Sequence, residues 1–168
     1  YTATSSGTYY LGVSAYANSY TGSYVLSSSF VNVDDYAAST STYGSVTVNG
    51  GPEAGRVNTT TDNDWFAVNL VSGTTYQFRA NRAATGGLGD PYLTLYNASG
   101  STITYNDDGG GSLNSLITYT ATSSGTYYLG VSAYASASTG DYLLTANSIA
   151  VDDYAASTST YGSVTVNG

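Results

Sequence analysis

The chain repeats itself at a fixed distance of 118 residues, and this repeat limits its possible folds more than any other feature. Residues 1–50 align with residues 119–168 without a gap, and 39 of the 50 aligned positions are identical. The differences fall between Asn18 and Asn32. Self-similarity at a fixed period indicates a repeat architecture, and 118 residues are enough to enclose a core. The sequence therefore predicts a series of separate domains rather than a solenoid of short repeats.

The repeat divides the chain into three parts. Residues 33–150 are predicted to form one complete repeat, residues 1–32 the last strands of a preceding repeat, and residues 151–168 the first strand of a following one. Strands without partners have open hydrogen-bonding edges, which favour pairing with another chain. Two interpretations stay open: a longer tandem protein, or separate chains that complete each other's domains. Head-to-tail contacts of the second kind do not close, so they would propagate as a fibre.

The pattern within the repeat is typical of an all-β fold. Short runs of Tyr, Val, Thr, Leu and Phe are separated by clusters of Gly, Asn, Asp and Ser. Phe66, Val68 and Leu70 alternate with residues that point the other way, which is the period of a half-buried antiparallel strand. Eight short strands predict an antiparallel two-sheet β-sandwich. The predicted strands cover residues 44–48, 65–71, 75–81, 92–97, 102–106, 115–122, 126–134 and 141–147.

The composition excludes several classes of function. The net charge is −8, and the only basic residues are Arg56, Arg79 and Arg82, which argues against binding to nucleic acid. No apolar run approaches the length of about 18–20 residues that a membrane span needs, so we expect no membrane insertion. The chain has no Cys, His or Lys, so the usual pairs of nucleophile and base are lacking. Its single glutamate, Glu53, lies in a predicted turn. We therefore expect a protein that is not an enzyme.

Four sequence blocks resemble one protein family. They are Asp-Asn-Asp-Trp-Phe at residues 62–66, Asp-Pro-Tyr-Leu at 90–93, Asn-Asp-Asp-Gly at 106–109 and Gly-Thr-Tyr-Tyr at 125–128. In this order they are similar to the bacterial pre-peptidase C-terminal domain family. The resemblance covers residues 34 to about 144. It implies a jelly-roll-like β-sandwich that is appended to secreted peptidases and surface proteins, and it implies a non-catalytic module.

The same resemblance implies a first calcium site. In related calcium-binding modules of collagenases, acidic residues of the N-terminal linker meet the Asp-x-Asp block before the tryptophan. Carried over to this chain, that site consists of Asp34, Asp35, Asp62 and Asp64, with Asn32 as a further oxygen ligand. Calcium prefers six to eight oxygen ligands of this kind. The alternative is a solvated pair of linker acids followed by an Asx turn.

A second acidic cluster follows from the residues themselves. Asp90, Asp107 and Asp108 lie beside a run of three glycines, and their carboxylates are suitable ligands for a second calcium ion. The alternative is ordinary turn chemistry, because Asn-Asp-Asp-Gly and Asp-Pro are both common in turns.

Two further features suggest contacts at the surface. The chain has 19 tyrosines, and adjacent pairs such as Tyr127 and Tyr128 must face opposite sides of a strand. Exposed tyrosine rows favour packing against copies of the same protein or stacking on glycans. Asn58 and Asn97 begin the acceptor sequences for N-glycosylation.

Taken together, the sequence predicts an extracellular or cell-surface protein with a structural role. We expect a filament or stalk of β-sandwich repeats, stabilised by calcium and held together by contacts between copies. Two alternatives remain open: a secreted adhesion module that binds a polysaccharide or a protein, or a non-catalytic appendage of a secreted peptidase.

Overall fold

The structure is a computed structural model that describes residues 3, 5, 7–28 and 34–150, without the side chain of Asn18. The chain divides into two compact units, Tyr1–Val31 and Asn32–Gly168. The predicted first strand within residues 151–168 and the predicted ligand Asn32 lie outside the described residues. Within the described part of the chain, no helix has the length and apolar character needed to cross a bilayer.

The second unit is an all-β sandwich, as the alternating pattern predicts. Its strands are listed here in chain order: β1 Glu53–Val57, β2 Asn63–Leu70, β3 Thr75–Arg82, β4 Pro91–Tyr96, β5 Thr102–Asn106, β6 Ser115–Thr120, β7 Gly125–Ala133 and β8 Gly140–Ile149. A 3-10 turn, Tyr134–Ser136, joins β7 to β8.

The strands form two antiparallel sheets of four. One sheet has the order β1-β8-β3-β6 and the other has the order β2-β7-β4-β5. Strands β1 to β4 alternate between the two sheets, as do β5 to β8, which is the arrangement of a jelly roll. The sequence-based prediction of a jelly-roll-like, two-sheet sandwich is therefore confirmed.

The core lies between the sheets and is built from the alternating residues. Phe66, Val68 and Leu70 of β2 are buried there, while Asn69 between them is exposed. Tyr127 is buried in the core and Tyr128 lies on the outer face, so the adjacent tyrosines do face opposite sides. Trp65 departs from the simple pattern because it is buried on the outer face, where its ring stacks on Tyr96 at 3.9 Å.

Two details of the predicted strands are wrong. Residues 44–48 form no strand; Ser45 makes only a single parallel bridge to Ala67 of β2. The first strand is instead β1, which begins at Glu53, the residue assigned to a turn by its Gly-Pro-Glu context. The composition of β1 does not indicate a strand, because it contains one glycine and a single β-branched residue. Its strand structure depends on pairing with β8.

The first unit contains no strand among residues 7–28, although residues 7–17 are identical to 125–135. Its regular structure there is one 3-10 turn, Tyr16–Asn18. In the sandwich, β7 is hydrogen-bonded on both sides, to β2 and to β4. Among the described residues, 7–28 are paired with no neighbouring strand and form no ladder. Strand propensity alone does not make a sheet.

Candidate metal centre

The four acids of the predicted first site come together at one end of the sandwich. Asp64 lies near the start of β2, Asp62 precedes that strand, and Asp34 and Asp35 belong to the segment that leads into the sandwich. One carboxylate oxygen from each of the four lies within 4.8 Å of the other three. The backbone N–H of Tyr36 donates to Asp34 at 3.2 Å, so an Asx turn is also present. The acid cluster and the turn coexist.

Hydrogen bonds from neighbouring segments orient two of these carboxylates. Asp35 accepts one bond from the backbone N–H of Arg56 and one from the side-chain amide of Asn58, both at 3.1 Å. The backbone N–H of Asn58 donates to Asp62 at 2.6 Å. The end of β1 and the residue that follows it therefore orient Asp35 and Asp62 toward the same place. No feature of the sequence indicated that Asn58 would belong to this cluster.

Asp64 is fully buried and only half satisfied. Its Oδ2 accepts a 2.7 Å hydrogen bond from the hydroxyl of Tyr142, while its Oδ1 is buried and has no hydrogen-bond partner. Tyr142 reaches this position because Gly55 of β1 has no side chain; a Cβ at Gly55 would lie 2.2 Å from the Tyr142 hydroxyl. A buried carboxylate oxygen without a hydrogen-bond partner destabilises the folded protein, and a bound cation would remove this penalty.

The electrostatics of the cluster follow from its burial. Burial raises the pKa of Asp64 to about 8, against the opposing effect of the Tyr142 hydrogen bond, and the other three acids raise it further. Burial also raises the pKa of Asp62. Two carboxylates about 5 Å apart repel each other by about 3 kcal/mol at an effective dielectric constant of about 20. Without a cation, the cluster therefore holds a proton at neutral pH.

The geometry suits calcium. Calcium–oxygen distances are about 2.3–2.6 Å, so oxygens on opposite sides of one ion are about 4.6–5.2 Å apart. The four carboxylate oxygens lie within 4.8 Å of one another, so they are close enough for a single ion to contact all of them. A depression of about 280 Å³ lies beside the cluster and is lined in part by Asp34, Asn58, Thr59 and Asp62. It has room for the water ligands that complete a calcium shell. The unpartnered Oδ1 of Asp64 would become an inner ligand.

The second predicted cluster is also brought together by the fold. One oxygen each from Asp90, Asp107 and Asp108 lies within 4.8 Å of the others. Burial raises the pKa of Asp90 and of Asp107, and each is raised further by the neighbouring acids. The Oδ1 atoms of Asp90 and Asp107 are buried without hydrogen-bond partners, but both residues are partly exposed.

The loop of this second cluster also shows the predicted turn chemistry. The side-chain oxygen of Asn106 accepts hydrogen bonds from the backbone N–H groups of Gly109 and Leu116, at 2.8 and 2.9 Å. The backbone N–H of Gly111 donates to the carbonyl of Asp108 at 2.9 Å. The turn is thus held by the protein's own hydrogen bonds, and its shape by itself gives no sign of an ion.

The two glycosylation sequons have different surroundings. Asn58 is half-buried in the acid cluster and uses its amide to hold Asp35, so a glycan there would disturb that contact. Asn97 caps a turn, where its side-chain oxygen accepts hydrogen bonds from Ser99 and Ser101. Glycosylation at either residue stays a prediction.

A row of tyrosines lies on the outer face of the β2-β7-β4-β5 sheet. The rings of Tyr92 and Tyr105 are 5.5 Å apart, and those of Tyr92 and Tyr134 are 6.2 Å apart. Tyr105 and Tyr134 are exposed. The other outer tyrosine singled out by the sequence, Tyr128, is half-buried because its hydroxyl donates to the carbonyl of Thr40. The exposed aromatic surface is therefore smaller than the number of tyrosines suggests.

Comparison with known proteins gives one family match. Residues 62–133 match the sequence model of the family described as the bacterial pre-peptidase C-terminal domain. This segment runs from Asp62 of the acid cluster to the end of β7. No curated protein sequence matches the chain.

Two solved structures are similar to the chain at low sequence identity. The pre-peptidase C-terminal domain of a collagenase from Bacillus anthracis is 18% identical, with a TM-score of 0.46, over 61% of this chain and 92% of that one. The Aeromonas hydrophila protein PliG, a periplasmic inhibitor of g-type lysozyme, is 16% identical, with a TM-score of 0.41, over 61% of this chain and 97% of that one. Likenesses of this degree say nothing about ligands or activity. The sequence match at residues 62–133 covers strands β2 to β7, and this part of the sandwich is similar to the bacterial pre-peptidase C-terminal domain family, as the four sequence blocks indicate.

Proposed function

We propose that this chain is a non-catalytic structural repeat of an extracellular filament or surface stalk, and that calcium stabilises it. The observation that carries the proposal is the recurrence of residues 1–50 as residues 119–168, with 39 of 50 positions identical. Near-identical copies of one domain pack with equivalent contacts, which is what a regular array requires. The extracellular location is supported by the similarity of residues 62–133 to the bacterial pre-peptidase C-terminal domain family, because the resemblance implies a module of secreted peptidases and surface proteins.

The course of the chain through the sandwich supports serial linkage. The incoming segment is tied to β1 where Asp35 accepts from the backbone of Arg56, and Arg56 pairs with Asp141 at the start of β8. Strand β8 then runs eight residues further, to Ile149. At about 3.3 Å per residue, the exit lies about 26 Å from the entry along the strand. Because the chain enters and leaves the sandwich at opposite ends, successive repeats are expected to follow one another in a line.

Electron microscopy of native material tests the structural role. We expect filaments or stalks with a regular repeat along their length. Native material that contains only isolated monomers would refute this part of the proposal. The intact mass of the native polypeptide separates a covalent tandem array from short chains that complete each other.

The calcium proposal rests on Asp64, whose buried Oδ1 has no hydrogen-bond partner and sits among three other acids. If the site has a dissociation constant of about 10 µM, then about 1 mM calcium stabilises the domain by about 2.7 kcal/mol. The test is the melting temperature in calcium and in EDTA, with an Asp34→Asn/Asp35→Asn variant as the matched control. Equal melting temperatures of the unmodified chain in both buffers would remove calcium from the first site.

The second cluster is proposed as a weaker calcium site, because its residues are more exposed and its turn is already held by hydrogen bonds. An Asp107→Asn/Asp108→Asn variant separates the two sites. A calcium titration by calorimetry should lose one binding event in this variant. An unchanged titration curve would limit calcium to the first site.

A second candidate function is adhesion through the outer-face tyrosines. It is favoured by the exposure of Tyr105 and Tyr134 on either side of Tyr92, which gives a flat aromatic surface suited to stacking on sugar rings. Glycan-array binding that disappears in a Tyr105→Ser/Tyr134→Ser variant would support it. Absence of binding to any glycan would leave the structural role as the better account.

A further inference from the structure

We propose that residues 7–26, here called the donor segment, fit the open core of a second copy of the repeat and take the place of its β7 and β8. The inference rests on the repeat organisation of the proposed function, but not on calcium. The partner that covers the donor segment is the incomplete sandwich formed by strands β1 to β6 of another copy, here called the half-sandwich. The donor segment would add one strand to each sheet of that copy, as β7 and β8 do in the present sandwich.

The side chains of the donor segment are exposed where their counterparts are buried. Leu11 is 67% exposed, and the equivalent Leu129 is fully buried in β7. Tyr24 is 66% exposed, and the equivalent Tyr142 is fully buried in β8. A run of exposed Leu, Val and Tyr of this kind is unusual for a soluble domain and indicates a surface that another surface covers.

Two local features of the donor segment match those found at β7 and β8, although the segment itself forms no strand. The hydroxyl of Tyr9 donates to the carbonyl of Ser5 at 2.8 Å, just as Tyr127 donates to Ser123 at 3.1 Å. Each copy then has a 3-10 turn that contains an alanine with positive φ, 56° at Ala17 and 49° at Ala135. What the first copy lacks is the hydrogen-bonded ladder with neighbouring strands. A segment with its turns already formed loses less entropy on binding.

The sequence identity specifies which strands cover the donor segment. Leu129 is paired with Phe66 of β2 and with Leu95 of β4. Leu11 stands in the same sequence context, so its fitting neighbours are the same residues of another copy. The half-sandwich within the present chain is occupied by its own β7 and β8. The native β8 also binds more tightly than the donor segment would, because Asp141 of β8 forms a 2.7 Å ion pair with Arg56. The donor segment has Ser23 at the equivalent position and lacks this ion pair.

Substitution of the identical leucines tests whether the donor segment can fill a half-sandwich. Leu129→Asp in the full chain places a charge in the core and displaces the native β7. The donor segment, of the same chain or of a neighbour, should then replace it, and the variant should keep a cooperative melting transition. Leu11→Asp alone should leave the melting temperature unchanged, because Leu11 is exposed. The double variant Leu11→Asp/Leu129→Asp should lose the transition.

A crosslink locates the replacing segment. The chain has no cysteine, and Ala67 of β2 is paired with Tyr128, which is equivalent to Tyr10. In the Leu129→Asp background, Tyr10→Cys and Ala67→Cys should form a disulfide, since paired residues on adjacent strands have Cα atoms about 4.5–5.5 Å apart. Intact mass then distinguishes a bond within one chain from a bond between two chains.

The outcomes separate this inference from the proposed function. If Leu129→Asp and the double variant are equally unfolded, and no disulfide forms, the donor segment does not fit and the inference is overturned. That result would not refute the proposed filament, because repeats can also assemble without strand exchange. Conversely, rescue by the donor segment together with monomeric native material would sustain this inference and refute the filament.

Discussion

At the scale of single residues, Asp64 gives the sandwich a stability that depends on pH. Burial raises its pKa to about 8, whereas in the unfolded chain it titrates near its ordinary value of 3.8. Between these values the folded protein binds a proton that the unfolded protein has released, so folding is weakened as pH rises from about 4 to about 8. Burial also raises the pKa values of three other acids, Asp62, Asp90 and Asp107. Calcium bound at the proposed first site would oppose this loss, because it needs the deprotonated acids as ligands.

We therefore expect the melting temperature in EDTA to fall between pH 5 and pH 8, and the gap between calcium and EDTA to widen over the same range. Differential scanning calorimetry at several pH values measures both curves. In Asp64→Asn, the part of the slope that Asp64 contributes should vanish together with most of the calcium response. Parallel curves in calcium and EDTA for the unmodified chain would contradict the assignment of Asp64 as a ligand.

A second prediction at this scale uses the two copies as each other's control. Tyr142→Phe removes the hydroxyl that donates to Asp64 and leaves a second carboxylate oxygen without a partner. We expect a loss of about 1–3 kcal/mol in the free energy of unfolding. Tyr24→Phe makes the same change at the equivalent exposed position and should have no effect on chemical denaturation. Equal effects of the two substitutions would be incompatible with the burial described for Tyr142.

At the scale of elements, close packing across β7 depends on the lack of a side chain at Gly130. A Cβ there would lie 2.8 Å from the ring of Tyr96 and 3.1 Å from Nε1 of Trp65, whereas a Cβ at the equivalent Gly12 would meet nothing within 4 Å. Gly130→Val should therefore destabilise the sandwich by about 1–3 kcal/mol through overpacking. Gly12→Val should leave the urea denaturation midpoint unchanged.

The same elements show how far the sequence predicts the fold. Alternation in β2 predicted its buried face, because a period of two is a local property of the sequence. Strand β1 was missed because Gly55 and the single Val57 look like a turn, and its structure comes from pairing with β8. For the candidate metal centre, the family resemblance implied the four acids that the fold brings together. It did not indicate Tyr142 or Asn58, since both reach the cluster through contacts distant in sequence.

At the scale of the whole molecule, one sequence is present in two conformations, and hydrogen exchange can compare them directly. Residues 7–17 and 125–135 are identical, so their intrinsic exchange rates are nearly the same. Amides of β7 are bonded to β2 and β4, whereas the first copy forms no ladder in the described residues. Since global opening of a domain costs at least about 5 kcal/mol, amides in β7 should exchange on the order of a thousandfold more slowly.

Mass spectrometry distinguishes the two copies when the peptides extend past the identical stretch, as residues 11–20 and 129–138 do. In dilute solution we expect fast exchange in the first peptide and slow exchange in the second. If a half-sandwich of another copy covers the donor segment in the native assembly, the first peptide should become protected there and the second should not change. Equally slow exchange of both peptides in the dilute chain would contradict the exposure of Leu11, because buried and exposed copies cannot share one protection factor.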